Sequence, residues 1–451
     1  MLNLIIFLSA FLLFQIEPII SKIILPKFGG SYLVWGACVV FFQAILLLGY
    51  WYSHIVISKF GISRYRYYHL IILILPLLFF PGRPLPEIAS HSNLALPLDI
   101  FWQLLYSIGM VFFVLSTTSI ILQSWLSNSD LPQATNPYVL FAASNLGSFI
   151  GLLTYPFLFE NFFDLDWQLR IWRFGYLVFL GFYLVIFKLL KINKKAASVK
   201  HLLRQSVNFQ VRVRWFLFAA AAVIMFLAVT NVVTYEIAPV PLLWVIPLCI
   251  YLISFVLNFK KVPWYPQWIE DNFHITVGFG VFFFFLIQKI TLPIILQLAF
   301  QFIFLFIICM FCQNRLYQSK PKDDANLTTF YLVVSFGGFI GGILVSWVFP
   351  LISTVMVEYI FGLFVIALAL IFGEKKEKLG FLGMRLIFYL ALAIIIWPML
   401  FNRYNIFGII YIIFASYFEF FSIHIKMSPS ELYVENSSLL IISRINIIFI
   451  S

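Results

Sequence analysis

The sequence predicts an all-α membrane protein, a polytopic bundle of about 14 transmembrane helices arranged as two six-helix halves plus two C-terminal helices. Three observations predict it. Apolar residues fill 63% of the 451 positions and charged residues only 10%, where soluble domains carry about 25% charged. Apolar runs recur at lengths near the roughly 20 residues that cross a hydrocarbon core. A glycine-rich string also returns six runs later in the chain. This composition excludes a water-soluble enzyme, a nucleic-acid-binding protein and a secreted disulfide scaffold. The net charge of +11 then speaks to topology rather than to a polyanionic partner.

The first run, residues 2 to 17, has no basic segment before it and leads into Glu17-Pro18 and a second apolar stretch. It reads as a retained first helix rather than a signal peptide. Further spans centre on 31 to 54, 67 to 80, 99 to 122, 138 to 159 and 171 to 190, then on 215 to 235, 239 to 259, 273 to 288, 291 to 312, 327 to 349 and 354 to 372. Two more, 385 to 401 and 404 to 425, follow them. The third and ninth runs are short for a core of about 30 Å, which predicts tilt, a break at Pro76 or partial insertion. The resulting organisation is an N-terminal half over 1–187, a basic linker over 188–214, a C-terminal half over 215–373, two added helices over 374–426 and a tail over 427–451.

Lys and Arg divide unequally between alternate loops. One set holds 20: Lys59, Arg64 and Arg66; eight cations and no acid from Lys188 to Arg214; Lys260 and Lys261; Arg315, Lys320 and Lys322; and Lys375, Lys376, Lys378 and Arg385. The other holds 7: Lys22, Lys27, Arg83, Arg170, Arg173, Lys289 and Arg403. Positive charge is retained on the cytoplasmic side during insertion, so both termini and the 188–214 linker are expected in the cytoplasm.

The internal echo pairs FAASNLGSFIG (141 to 151) with YLVVSFGGFIG (331 to 341). It aligns Gly147 with Gly337, Phe149 with Phe339, Ile150 with Ile340 and Gly151 with Gly341, and each run is expected to end at a proline, Pro156 or Pro350. Parallel six-helix repeats build transporters whose halves rock about a central site. Small residues in such a string also simply let helices approach closely.

The string FLLFQIEPIISKIILPKFGGSYLVWGACVVFFQAILLLGYWYSH (11 to 54) resembles the opening of bacterial membrane proteins in which a major-facilitator region is fused to a spermidine-synthase domain. The resemblance continues at SNLGSFIGLLTYPFLFE (144 to 160), QLRIWRFGY (168 to 176), IAPVPLLWVIPLCIYLISFVL (237 to 257) and FYLVVSFGGFIGGILVSWVFPLISTVMVEY (330 to 359). It covers roughly residues 4 to 372, and IAPVPLLW and LPKFGG are its most specific strings. The resemblance implies a bacterial inner-membrane location and a soluble synthase-like domain after the spans. No Asp-x-Gly-x-Gly or Gly-x-Gly-x-x-Gly loop occurs, and the tail departs from the family's junction. The expectation is therefore no enzymatic activity and no cofactor, with a truncated, frameshifted or split fusion.

Acidic residues within apolar runs are costly and mark candidate sites. Glu17, just before Pro18, is either a proton or cation ligand at a helix break or an outer-interface residue. Glu236, beside Pro239 and Pro241, and Glu358, beside Tyr359, carry the same two readings, and Glu419 lies in the fourteenth span. Neutral candidates for a transport path are Gln43, Asn145 with Ser144, and Gln297 with Gln301 at i, i+4; interhelical hydrogen bonding explains them equally. Cys309 and Cys312 form a Cys-x-x-Cys expected at a helix end, without the second ligand pair that zinc needs, and Cys38 and Cys249 stand alone. His54, His69, His201 and His274 fall near predicted interfaces without metal spacing. SKFGISR (58 to 64) faintly echoes a major-facilitator gating loop, with Ser58 in place of its acid.

Two functions remain. The chain carries a small, polyamine-related solute, which predicts polar groups converging near mid-depth. Alternatively it is a membrane anchor for a separately encoded synthase-like enzyme, which predicts a sealed apolar core. The lipid bilayer is the one partner common to both.

Overall fold

The computed structural model describes residues 1–29, 32–60, 62–79, 96–131, 134, 136–190, 207–237, 244–287, 292–321, 326–353 and 356–372. The linker at its core, the two added helices, Glu419, His201 and the tail lie outside the described residues.

Among the described residues, twelve apolar helices follow one another. They are α1 (Leu2–Phe28), α2 (Tyr32–Phe60), α3 (Ile62–Ile74), α4 (Leu96–Ser127), α5 (Val139–Phe162) and α6 (Leu165–Leu189). The second half supplies α7 (Phe209–Ile237), α8 (Val245–Phe259), α9 (Phe273–Ile287), α10 (Ile294–Ser319), α11 (Leu327–Ile352) and α12 (Val357–Ile371). Eight are long and apolar enough to cross a membrane, and the other four are shorter apolar helices. Large apolar side chains such as Phe157, Phe174, Ile295 and Leu351 stand exposed on the outside, as a lipid-facing surface requires.

The helices obey proline in three different ways. Pro18 and Pro26 lie inside α1, which nevertheless runs unbroken to Phe28, where Gly29 (φ 77°) ends it with its N–H on the Leu25 carbonyl. The expected break or interface at Glu17-Pro18 is thus corrected: inside a bundle, neighbouring helices hold a proline-containing helix in place. At Pro76 the α-helix does give way, to a 3-10 stretch over Leu75–Phe79. In α5 and α11 the expected stop at Pro156 and Pro350 is also corrected. Each helix widens into a π-helical turn, Tyr155–Phe159 and Leu344–Val348, and continues for a few residues more.

The packing repeats with a period of six helices. Helix α1 packs on α4, α5 and α6 as α7 packs on α10, α11 and α12, and α2 packs on α4 as α8 packs on α10. Between the halves, α2 meets α11 and α5 meets α8, the same contact made twice.

Glycine fixes the tightest of these contacts. A β-carbon at Gly147 would collide with the Phe7 carbonyl, and one at Gly337 with the Phe216 carbonyl. One turn on, a β-carbon at Gly151 would lie 2.8 Å from the Phe11 oxygen and one at Gly341 2.8 Å from the Ala220 oxygen. Backbone therefore touches backbone at matching places in α1/α5 and α7/α11, as the aligned strings predict. The step from Gly147 to Gly337 also carries the extended residue that ends α5, Phe163, onto the one that ends α11, Ser353.

Candidate functional site

A cavity of about 190 Å³ lies between the halves. Much of its wall is made by mid-helix residues: Leu13 and Glu17 of α1, Gln43 of α2, Val223 of α7, Leu252 of α8 and Phe339 of α11. Helices rise about 1.5 Å per residue, so these positions place the cavity near the middle of the bundle's depth.

One end of the cavity is flanked by Trp35 of α2, which lies against Trp244, the residue that caps α8, with ring centroids 3.9 Å apart. The other is flanked by Phe141 of α5 against Tyr331 of α11, 4.8 Å apart. Phe255 and Phe259 of α8 sit edge-on to Phe141, each at 5.2 Å. The separation in sequence between Phe7 and Phe216 is the same as that between Trp35 and Trp244, and the step from Gly147 to Gly337 is the step from Phe141 to Tyr331. Each pair is thus a contact between equivalent residues of the two halves, which meet only where the repeat axis passes.

The polar groups are unequally shared. Ser9 and Glu17 of α1, Gln43 of α2, Ser116 and Ser119 of α4, and Ser144, Asn145 and Ser148 of α5 come from the first half. The second half contributes chiefly Tyr251, Tyr331 and Ser335. Ser9, Ser116 and Ser148 donate their hydroxyl protons to carbonyls of their own helices, those of Ile6, Phe113 and Ser144, at 2.9, 2.7 and 3.2 Å. The Asn145 amide likewise donates to the Phe141 carbonyl at 2.8 Å. Each leaves oxygen lone pairs for the cavity. A relay joins the halves, Tyr331 donating to Gln123 Oε1 at 2.8 Å and Gln123 Nε2 to Ser119 Oγ at 3.0 Å.

Of the sequence candidates, the structure brings Glu17, Gln43, Ser144 and Asn145 to the cavity and leaves Glu358, Gln297 and Gln301 away from it. Glu17 is 5% exposed and no hydrogen bond holds its carboxylate, so the interfacial reading of this residue is corrected. Glu358 lies in the first turn of α12. It is buried between α12 and α7, where Asn231 Nδ2 donates to its Oε1 at 3.0 Å, and it lies outside the cavity lining. Gln297 caps the start of α10 by donating to the Leu292 carbonyl at 2.8 Å, and Gln301 is buried off the cavity. Glu236 has a side chain outside the described residues.

The cysteine and histidine expectations also shift. Because α10 runs on to Ser319, Cys309 and Cys312 are buried mid-helix rather than at an end. His69 is buried between Tyr52 and Thr117, and His54 pairs with Thr328 Oγ1 at 2.9 Å across α2 and α11. Sequence reasoning missed Trp35, Trp244, Phe141 and Tyr331, although the matched register that contains them was already set by the glycine strings. Gln15, buried and donating to the Gly151 carbonyl at 3.0 Å and Thr154 Oγ1 at 2.9 Å, was hidden among apolar neighbours.

Fold and site together define a class, a two-bundle membrane protein with a major-facilitator-like fold and a cavity between its halves. The solved structures agree. The chain is similar to the inward open conformation of the xylose transporter XylE from E. coli, at 16% identity and a TM-score of 0.52, over 85% of this chain and 98% of that one. It is similar also to a partially occluded inward open conformation of the same transporter, at 15% identity and a TM-score of 0.50, over 82% and 95%. No family model matches the chain, and no curated protein matches it. At such identities the likeness is one of fold.

Proposed function

We propose that the protein carries a small solute across a membrane by rocking its two halves about the central cavity. The observation that carries this reading is the cavity itself, an apolar-walled chamber between the halves that holds Glu17, Gln43 and Asn145 and is flanked at each end by aromatic residues that are equivalents of one another. A membrane anchor for a synthase-like enzyme needs no such chamber. The volume of about 190 Å³ lies below the roughly 300–1,000 Å³ of pockets for drug-sized ligands, which favours a solute of a few heavy atoms. Glu17 is the group placed to bind the solute or a coupling proton, with Gln43 and Asn145 beside it.

The finer reading follows from charge and resemblance. Lys59, Arg66, Lys260, Lys261, Arg315 and Lys320 gather toward the end flanked by Phe141 and Tyr331, which we assign to the cytoplasm of a bacterial inner membrane. The Trp35–Trp244 end then faces outward. The resemblance to fused synthase proteins places amine chemistry among the candidate solutes.

Cysteine accessibility tests the transport reading without knowledge of the solute. In a variant lacking the four natural cysteines, Ser144→Cys should react with an impermeant maleimide applied from either face of oriented vesicles. Complete protection from both faces, with the protein folded, would contradict a chamber that opens alternately.

A further inference from the structure

We infer that the solute is a small organic cation bearing a single ammonium group, held by Glu17 and the aromatic walls. This rests on the transport reading above and names its substrate class. The cavity's charge is one-sided: among its lining residues Glu17 is acidic and none is Lys, Arg or His. A buried carboxylate without a partner is costly, and a cationic ligand is the partner that would offset the cost.

The hydrogen-bonding capacity points the same way. Ser9, Ser116 and Ser148 have already committed their hydroxyl protons to their own helix carbonyls, so what they turn to the cavity is lone pairs, and Asn145, with one amide proton committed, adds its carbonyl oxygen. Those serine and amide oxygens suit a ligand that donates, and an ammonium, with up to three donors and no acceptor, can use several of them at once beside Glu17. Phe14, Trp35, Phe42, Tyr50, Phe112 and Tyr251 supply the walls, and aromatic faces attract a desolvated cation. A single carboxylate matches a single positive charge. A diamine or longer polyamine would carry a second ammonium into a wall with no acid to meet it, so the preferred solute is a monoamine.

Thermal unfolding of the purified full chain in detergent tests this with phenethylamine, its neutral analogue phenethyl alcohol, its anionic analogue phenylacetate, the diamine putrescine, and xylose. Phenethylamine should raise the melting temperature in a saturable way, with the alcohol, the anion, putrescine and xylose giving little or no shift. Glu17→Gln, which keeps the shape and loses the charge, should abolish the shift, and Glu17→Asp should retain part of it. An equal or larger shift with xylose, phenylacetate or the alcohol would overturn the inference and leave transport standing. So would a phenethylamine shift unchanged in Glu17→Gln, or no shift with any of the five. A cavity unreactive from both faces in the Ser144→Cys experiment would remove the transport reading itself, a different failure.

Discussion

Trp35 and Trp244 occupy equivalent places in the two halves of the chain and lie against one another, ring centroids 3.9 Å apart and planes tilted by 34°. Residues related by a two-fold repeat touch each other only on its axis. The contact is therefore a seam that separates whenever the halves rotate apart at that end, and Phe141 on Tyr331 is its counterpart at the other end.

Removing one ring of that pair should favour the state open at its end. Aromatic pairs contribute about 0.5–1.5 kcal/mol beyond the area they bury, enough to move an equilibrium roughly two- to tenfold. Trp35→Ala and Trp244→Ala should each raise the maleimide reactivity of Ser144→Cys from the Trp35 side by about that factor, and by similar amounts. The labelling rate from each face checks it.

The opposite closure depends on a hydrogen bond between the halves. Tyr331→Phe removes the donor to Gln123 Oε1 and leaves that buried oxygen unpaired, a loss of about 1–3 kcal/mol. Labelling of Ser144→Cys should rise from the face closed by Phe141 and Tyr331 and stay constant or fall from the other. A uniform rise from both faces would indicate general loosening instead.

Gly147 and Gly337 should respond alike. A methyl at either must displace a backbone carbonyl of the facing helix, so Gly147→Ala and Gly337→Ala should each lower stability by about 1–3 kcal/mol, a range taken from overpacked soluble cores. Gly181→Ala is the control, since a β-carbon there meets nothing within 4 Å. Melting temperatures of the three purified variants decide it. Two clearly unequal costs would argue against equivalent packing.

Lys320, just beyond α10, supplies a pH dependence. Burial pulls its ammonium from 10.5 down to about 8, although the charge sits 3.5 Å from the Tyr317 ring centre and 5.0 Å from that of Tyr138. Below about pH 8 the folded and unfolded chains are both protonated here, and the burial cost is present in full. Between about 8 and 10.5 the unfolded chain holds the proton that the folded one has lost, so this group makes stability rise with pH. The melting temperature of the wild type should climb across that window relative to Lys320→Met.

The helical count of each half and the repeat were legible because both rest on local chemistry. Apolar runs declare spans, and a glycine at a backbone contact cannot be replaced without a clash, so Gly147 and Gly337 stood out in the strings. The depth of Glu17 was not legible. Pro18 after an acid reads as a boundary when helix rules from water are applied, and only the packing of α1 among its neighbours shows the helix running through. The partner of Glu358 was not legible either: Asn231 is on another helix, and sequence spacing carries no trace of it. Gln297 and Gln301 do share a face, as their spacing says, but spacing does not tell which way that face points. The aromatic closures needed both repeats in register before Trp35 could be set beside Trp244 and Phe141 beside Tyr331.

The central claim is that two rigid halves rock about the cavity, and paired distances at its two ends test it most directly. Spin labels at Lys27 of α1 and Ile294 of α10 report the Trp35–Trp244 end, and labels at Lys59 of α2 and Lys261, after α8, report the other; all four sites are exposed. Double electron–electron resonance on the protein in lipid nanodiscs should show two distances for each pair. Trp35→Ala should shift the first pair toward its longer distance and the second toward its shorter one. A single distance at both ends, unmoved by Trp35→Ala, would contradict the account.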